Sequence, residues 1–224
     1  MCFAPYISVS TFIVELLLAV YFFLLDSKDK LNRFIALLSL SLGIYQLNEF
    51  FICTTTTGLF TRSAFAVTAV LPAMAITYAL IMWRKRLKWH LHAMIYLPAV
   101  FFVVAFSLPW SFKSAATCQS VFIQYYLHPL LGKFYGLYYL TYLFAAVVLF
   151  YFAAANAKSE VEKRLFYLGI LGIAMFVVPT YLFLIFLPGF KLQFPSVLCE
   201  FALLLAIELC FVAWYKERHK LYYR

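Results

Sequence analysis

The chain has 224 residues, of which 66% are hydrophobic, 21% are aromatic and only 12% are charged. Soluble domains carry about 25% charged residues, so this composition excludes an ordinary soluble domain and predicts an integral membrane protein with one domain, residues 1–224. The net charge of +9 lies mostly in short polar segments. We therefore expect these charges to report topology and to contact membrane lipids, and we expect no nucleic-acid partner.

Seven apolar segments predict an all-α bundle of seven transmembrane helices. A helix that rises about 1.5 Å per residue needs about 20 apolar residues to cross a hydrocarbon core. Pro72, Pro98 and Pro179 fall inside three of the segments, which membrane helices tolerate when neighbouring groups satisfy the freed backbone. In chain order, the predicted spans are 6–25, 34–52, 64–83, 93–108, 134–155, 165–187 and 195–215.

The basic residues predict the orientation of this bundle. Fourteen of the eighteen Lys and Arg residues lie on one side. They are in the loops that join span one to span two, span three to span four and span five to span six, or in the C-terminal tail. The other side has only four, which are Arg62, Lys113, Lys133 and Lys191. Because cytoplasmic loops carry the excess of Lys and Arg, the N-terminus is expected outside and the C-terminus in the cytoplasm.

Four carboxylates lie within the predicted spans, where ionisable groups are expensive and often mark a functional site. Spans one, two and seven carry them, and we expect these helices to be neighbours. The acids then form one outward-opening cavity, with Glu49 and Glu200 within about one turn of the outer surface and Glu15 and Glu208 about two to three turns in from it. The predicted ligand-binding residues are Glu15, Glu49, Glu200, Glu208, Asn48, Tyr45 and Tyr78.

Burial without a nearby cation favours the neutral form of a carboxyl group, so we expect some of these acids to be protonated. Such a cavity is expected to prefer a cation or a hydrogen-bonding ligand over an anion. The alternative is structural, with each glutamate donating a hydrogen bond that holds two helices together.

Cys53 and Cys118 fall on the same outer side of the predicted topology. Oxidation outside the cytoplasm allows a disulfide between them, which would tie the long connection after span four to span two. The alternative is that both cysteines are small apolar packing residues.

Several membrane chemistries lack the residues they need. None of the seven predicted spans contains a lysine for a retinal Schiff base. The four histidines, His90, His92, His128 and His219, lie in predicted loops or the tail and have no metal-ligand spacing. No serine stands in a nucleophile elbow. The sequence therefore predicts a protein that is not an enzyme and that holds no metal and no cofactor.

Three segments carry a family resemblance. KLNRFIALLSLSLGIYQLNEFF, EVEKRLFYLGILGIAMFVVPTYLFLIFLPGF and WYKERHKL resemble the second helix, the sixth helix with its charged loop, and the cytoplasmic exit of a known membrane module. That module is the seven-transmembrane N-terminal input region of bacterial histidine kinases. The resemblance implies a bacterial cytoplasmic membrane and a sensory role. Because the sequence ends nine residues after Tyr215, we expect a separate partner to supply the output domain.

The sequence thus favours a receptor-like sensory module that binds a small ligand or reads a membrane signal and passes it to a separate protein partner. One alternative is an accessory or structural subunit of a larger membrane complex. A weaker alternative is a small-solute or proton transporter that uses the buried acids.

The topology is testable with reporter fusions. Because basic loops stay in the cytoplasm, fusions after Arg86 and after Arg224 should both report a cytoplasmic position, and a fusion after Lys113 should report an external one. A cytoplasmic signal from the Lys113 fusion contradicts the seven-span topology.

Overall fold

A computed structural model describes residues 4–26, 28–55, 57–85, 87–118, 123–186, 201–221 and 223. The described residues form seven α-helices, a short 3-10 helix and one small two-stranded sheet. The elements are α1 Ala4–Leu25, α2 Lys30–Thr54, α3 Gly58–Met82, α4 Trp89–Ser107, the 3-10 helix Pro109–Ser111, β1 Thr117–Cys118, β2 Ile123–Gln124, α5 Pro129–Ala155, α6 Glu160–Phe186 and α7 Ala202–Arg218.

The helices α1 to α5 are long and apolar enough to cross a membrane, which indicates a multi-pass membrane protein. Helices α2 to α6 begin several residues before the apolar spans that predicted them. Polar residues of the flanking turns continue the backbone hydrogen bonding of each helix, so apolar content alone underestimates its length. Of the sixth and seventh predicted spans, residues 187 and 195–200 lie outside the described residues.

Most helices that follow one another in the described chain pack side by side, but α4 and α5 each pack against α3, which occupies the centre of the bundle. It contacts α2, α4, α5 and α6, whereas α7 packs against α6 and also reaches α1 and α2. The expected proximity of the first, second and seventh helices is therefore present. Helices α1 and α4 expose most of their apolar surface, as helices at the outside of a membrane bundle do.

The connection between α4 and α5 contains the two short strands. Thr117 pairs with Gln124 and Cys118 with Ile123 in an antiparallel ladder. A disulfide joins Cys118 to Cys53, near the end of α2, with the two Cα atoms 5.6 Å apart. This is the pairing that the shared outer position of the two cysteines suggested.

Aromatic side chains hold the same connection onto the helices. The ring of Phe65 on α3 lies 4.9 Å from that of Phe106 on α4 and 5.0 Å from that of Tyr125 after β2. The Tyr135 hydroxyl on α5 donates to Thr68 Oγ1 at 3.0 Å. Offset and edge-on aromatic pairs stabilise beyond the area they bury, so this cluster fixes one end of α3, α4 and α5.

Candidate functional site

An interior cavity lies between five helices, α2, α3, α5, α6 and α7. Its volume is about 40 Å³. A single water needs roughly 10–15 Å³ of such space, and pockets for drug-sized ligands measure about 300–1,000 Å³. The cavity therefore has room for a few water molecules or a small ion. It is lined by Leu38, Leu42, Leu71, Ala75, Tyr78, Tyr139, Leu143, Gly169, Ile173, Phe176, Leu205 and Glu208.

Two polar side chains in this mostly apolar lining are buried without described hydrogen-bond partners. Glu208 is 5% exposed and Tyr78 is 4% exposed. Neither carboxyl oxygen of Glu208 nor the Tyr78 hydroxyl has a hydrogen-bond partner among the described residues. A buried polar group without a partner costs about 1–3 kcal/mol. Each of these two groups therefore favours a small polar occupant that can hydrogen-bond to it.

A glycine allows the close approach of Glu208 to α6. A Cβ added at Gly172 would lie 2.5 Å from Glu208 Oε2 and 2.6 Å from its carboxyl carbon. Real Cβ atoms essentially never come within 3.0 Å of a neighbour. Gly172 is thus the position at which the backbone of α6 accommodates the carboxyl group.

Glu15 shows a related arrangement at the α1–α2 interface. It is fully buried, and both its carboxyl oxygens lack hydrogen-bond partners among the described residues. A Cβ added at Gly43 of α2 would come within 3.4 Å of the Glu15 Cβ and 3.7 Å of Oε2. Glu15 is not among the residues that line the interior cavity.

Glu49 belongs to a hydrogen-bonded group that we call the Glu49 cluster, formed by Ser8, Tyr45, Glu49 and Tyr125. The Tyr45 hydroxyl donates to Glu49 Oε1 at 2.8 Å, and Ser8 Oγ donates to Oε2 at 3.4 Å. The hydroxyls of Tyr45 and Tyr125 lie 3.2 Å apart. The cluster joins α1, α2 and the segment after β2, so Glu49 links elements as the structural alternative expected, but it accepts these hydrogen bonds where that alternative had it donate them.

The described acids therefore occupy separate places rather than one common cavity. Leu38, Leu42, Tyr45 and Glu49 follow one face of α2, so the Glu49 cluster lies about 10 Å along the helix from Leu42 at the cavity. Asn48 is buried next to Glu49, but its side-chain amide donates to Ile44 O within its own helix at 2.7 Å. Glu200 lies outside the described residues.

The sequence did not predict the buried ion pair that lies near the C-terminal end of α7. Lys216 and Asp29 are both fully buried, and Lys216 Nζ lies 3.2 Å from Asp29 Oδ2. Lys216 also donates to Asn32 Oδ1 at 2.6 Å and lies 3.1 Å from Glu217 Oε1. The sequence placed Asp29 and Lys216 in a polar loop and the tail, with no reason to expect them to be buried together.

Asp29 also organises the backbone around it. Its Oδ1 accepts from the amides of Leu31 and Asn32 at 2.8 and 3.1 Å, which caps the N-terminus of α2. Its Oδ2 accepts from the Tyr223 amide at 2.9 Å, and the Lys30 amide donates to Tyr223 O at 2.8 Å. We call Asp29, Asn32, Lys216 and Tyr223 the C-terminal latch, since together they hold the tail on the α1–α2 connection.

The latch extends to the α3–α4 turn through Arg84. Its guanidinium lies 4.9 Å from the centre of the Tyr223 ring, and Arg84 Nη1 lies 3.3 Å from Glu162 Oε1. Burial raises the pKa of Tyr223, so this ring remains neutral and can accept the cation–π contact. The available sequence signal for the latch was an aspartate directly before an apolar helix, a typical N-cap residue.

No protein-family model matches the chain, and no curated protein and no solved structure matches it either. The resemblance to histidine kinase input regions accordingly stays a prediction. Within the described residues, no three His, Cys, Asp or Glu side chains come together in a way that could hold a metal ion.

The contact between Gly172 and Glu208 is testable by substitution. Gly172→Ala should lower the free energy of unfolding by about 1–3 kcal/mol, because the added methyl group overlaps the buried carboxyl group. Equilibrium unfolding in bicelles measures the change. In a Glu208→Ala background the cost of Gly172→Ala should shrink, since the overlapping group is gone.

Gly136→Ala on α5 is the matched control, because nothing lies within 4 Å of a Cβ added there. Alanine is the better helix former, so this variant should be as stable as the parent or up to about 1 kcal/mol more stable. An equal loss for Gly172→Ala in both backgrounds contradicts the proposed contact.

Proposed function

We propose that the chain is a receptor-like sensory module of seven membrane spans, which reads a small ligand or a membrane signal at the interior cavity. In this proposal the N-terminus lies outside a bacterial cytoplasmic membrane, and the C-terminal tail contacts a separate partner in the cytoplasm. The observation that carries the proposal is that one helix, α7, bears both Glu208 in the cavity and Lys216 in the latch.

The geometry of α7 supports coupling between these two places. Glu208 and Lys216 are eight positions apart, which corresponds to about 12 Å along a helix. A cavity of about 40 Å³ holds little more than a few waters, so any larger occupant must displace a lining helix. Movement of α7 changes the position of Lys216, and the tail held by the latch then changes with it.

The size of the cavity also favours binding over catalysis. The space beside Glu208 and Tyr78 is too small for an organic substrate to react while its surroundings stay in place. In the proposal Glu208 therefore recognises an occupant, and the module is not an enzyme. Binding energy is used to shift the balance between a docked tail and a released tail.

The proposal is tested by overfilling the cavity. Ala75 lines it, and Ala75→Leu places three more carbon atoms in a cavity that has room for only a few water molecules. A spin label at Lys220→Cys, in a background with Cys2, Cys199 and Cys210 replaced by serine, reports the mobility of the tail. Ala75→Leu should raise the ratio of mobile to docked label by at least about fivefold, the lower end of typical allosteric coupling.

Ala93→Leu is the control. Ala93 is exposed on α4, so this substitution adds the same atoms away from the cavity. The ratio of mobile to docked spin label in this variant should equal that in the parent. Equal label mobility in the parent and in a folded Ala75→Leu variant contradicts coupling through α7.

The other two functions predict different results on the same purified protein. A receptor should be stable alone and should gain thermal stability from a small molecule, an effect that Glu208→Gln reduces. An accessory subunit should purify at fixed stoichiometry with larger partners. A transporter should show uptake into vesicles that is lost in Glu208→Gln.

A further inference from the structure

A second cavity opens at the end of the bundle where the α3–α4 turn and the α5–α6 connection meet. Its volume is about 430 Å³, which is roughly ten times that of the interior cavity. This volume falls within the range of about 300–1,000 Å³ that accommodates small molecules. We call it the basic pocket because three of its lining residues are Arg84, Lys85 and Lys158.

The charges of the basic pocket favour an anion. Glu162 is the one carboxylate in its described lining, and it pairs with Arg84 at 3.3 Å. Lys85 and Lys158 are exposed, and within the described part of the chain their ammonium groups form no ion pair, although the Lys158 backbone amide donates to Glu162 Oε2 at 3.3 Å. Lys85 Nζ lies 4.8 Å from the centre of the Trp83 ring, which holds the ammonium group close to the rim. Two lysines therefore remain available to a negatively charged group.

The floor of the basic pocket is apolar. Met82 is 1% exposed and Phe166 is 4% exposed, and both line the pocket below the charged rim. The pocket lies where α3 and α5 end and α6 begins, so apolar helix surface meets polar connections at this level. A molecule that fits both parts needs an anionic group at the rim and an apolar portion against the floor.

We propose that the basic pocket binds the headgroup of an anionic phospholipid. Its phosphate lies between Lys85, Lys158 and Arg84, and its glyceryl and first acyl carbons contact Met82 and Phe166. Basic pockets between membrane helices recognise anionic headgroups through this combination of charge and apolar contact. Asn156 also lines the rim, and because its side-chain Nδ2 donates to Phe152 O at 2.8 Å, its Oδ1 is the atom that could accept from a headgroup hydroxyl. The site does not depend on the sensory function proposed above.

The test uses the purified full chain in nanodiscs of phosphatidylcholine with and without phosphatidylglycerol. The readouts are the temperature of unfolding and the number of phosphatidylglycerol molecules retained in native mass spectrometry. A double variant, Lys85→Gln with Lys158→Gln, removes the two unpaired cations. Its affinity for phosphatidylglycerol should fall about 25-fold, because each lysine contributes about fivefold near an anionic headgroup.

The matched control is Lys28→Gln with Lys88→Gln, which removes two exposed positive charges from the same end of the bundle without touching the pocket. The parent and this control should retain the lipid and gain thermal stability from it. Equal loss in both double variants, or no loss in either, overturns the proposed site. Full stabilisation by glycerol 1-phosphate in phosphatidylcholine nanodiscs overturns its assignment to a lipid.

Discussion

The buried ion pair between Lys216 and Asp29 is the constraint on which the arrangement of α7 and the tail depends. Both groups are fully buried, and a buried charge that loses its partner is strongly destabilising. Asp29 satisfies three kinds of group at once: the ammonium of Lys216, the first amides of α2 and the amide of Tyr223. The α1–α2 connection, α7 and the tail are therefore held in one register by a single carboxylate.

That register sets what α7 presents to the interior. With Lys216 fixed, Glu208 lies about 12 Å deeper, where it faces the interior cavity and packs against Gly172. Glu15 of α1 also packs against a glycine, Gly43 of α2. In both places a carboxyl group without a described hydrogen-bond partner lies beside a glycine, and at Gly172 an added Cβ would overlap that group.

The sequence predicted what apolar content and charge determine, and missed what depends on distant contacts. Continuous apolar segments are visible in a sequence, so the helices were found, although their polar first turns were not. The spacing of Tyr45 and Glu49 on one face of α2 is also readable. Asn32 and Lys216 are 184 positions apart. Nothing local indicates that they meet, because a contact between residues so far apart in the chain depends on how the helices pack. The same dependence on helix packing explains why Glu15, Glu49 and Glu208, three of the acids expected in one cavity, lie in different places.

A double-mutant cycle on Lys216 and Asp29 tests most directly whether this pair fixes α7. The measured quantity is the free energy of unfolding in bicelles. Lys216→Met should cost about 3–5 kcal/mol, because it leaves the Asp29 carboxylate buried without its cation. The same change should cost much less in an Asp29→Asn background, and Lys220→Met, at an exposed position of the same tail, should cost almost nothing. A Lys216→Met variant within about 0.5 kcal/mol of the parent, or a loss that is unchanged by Asp29→Asn, contradicts the claim that this pair fixes α7.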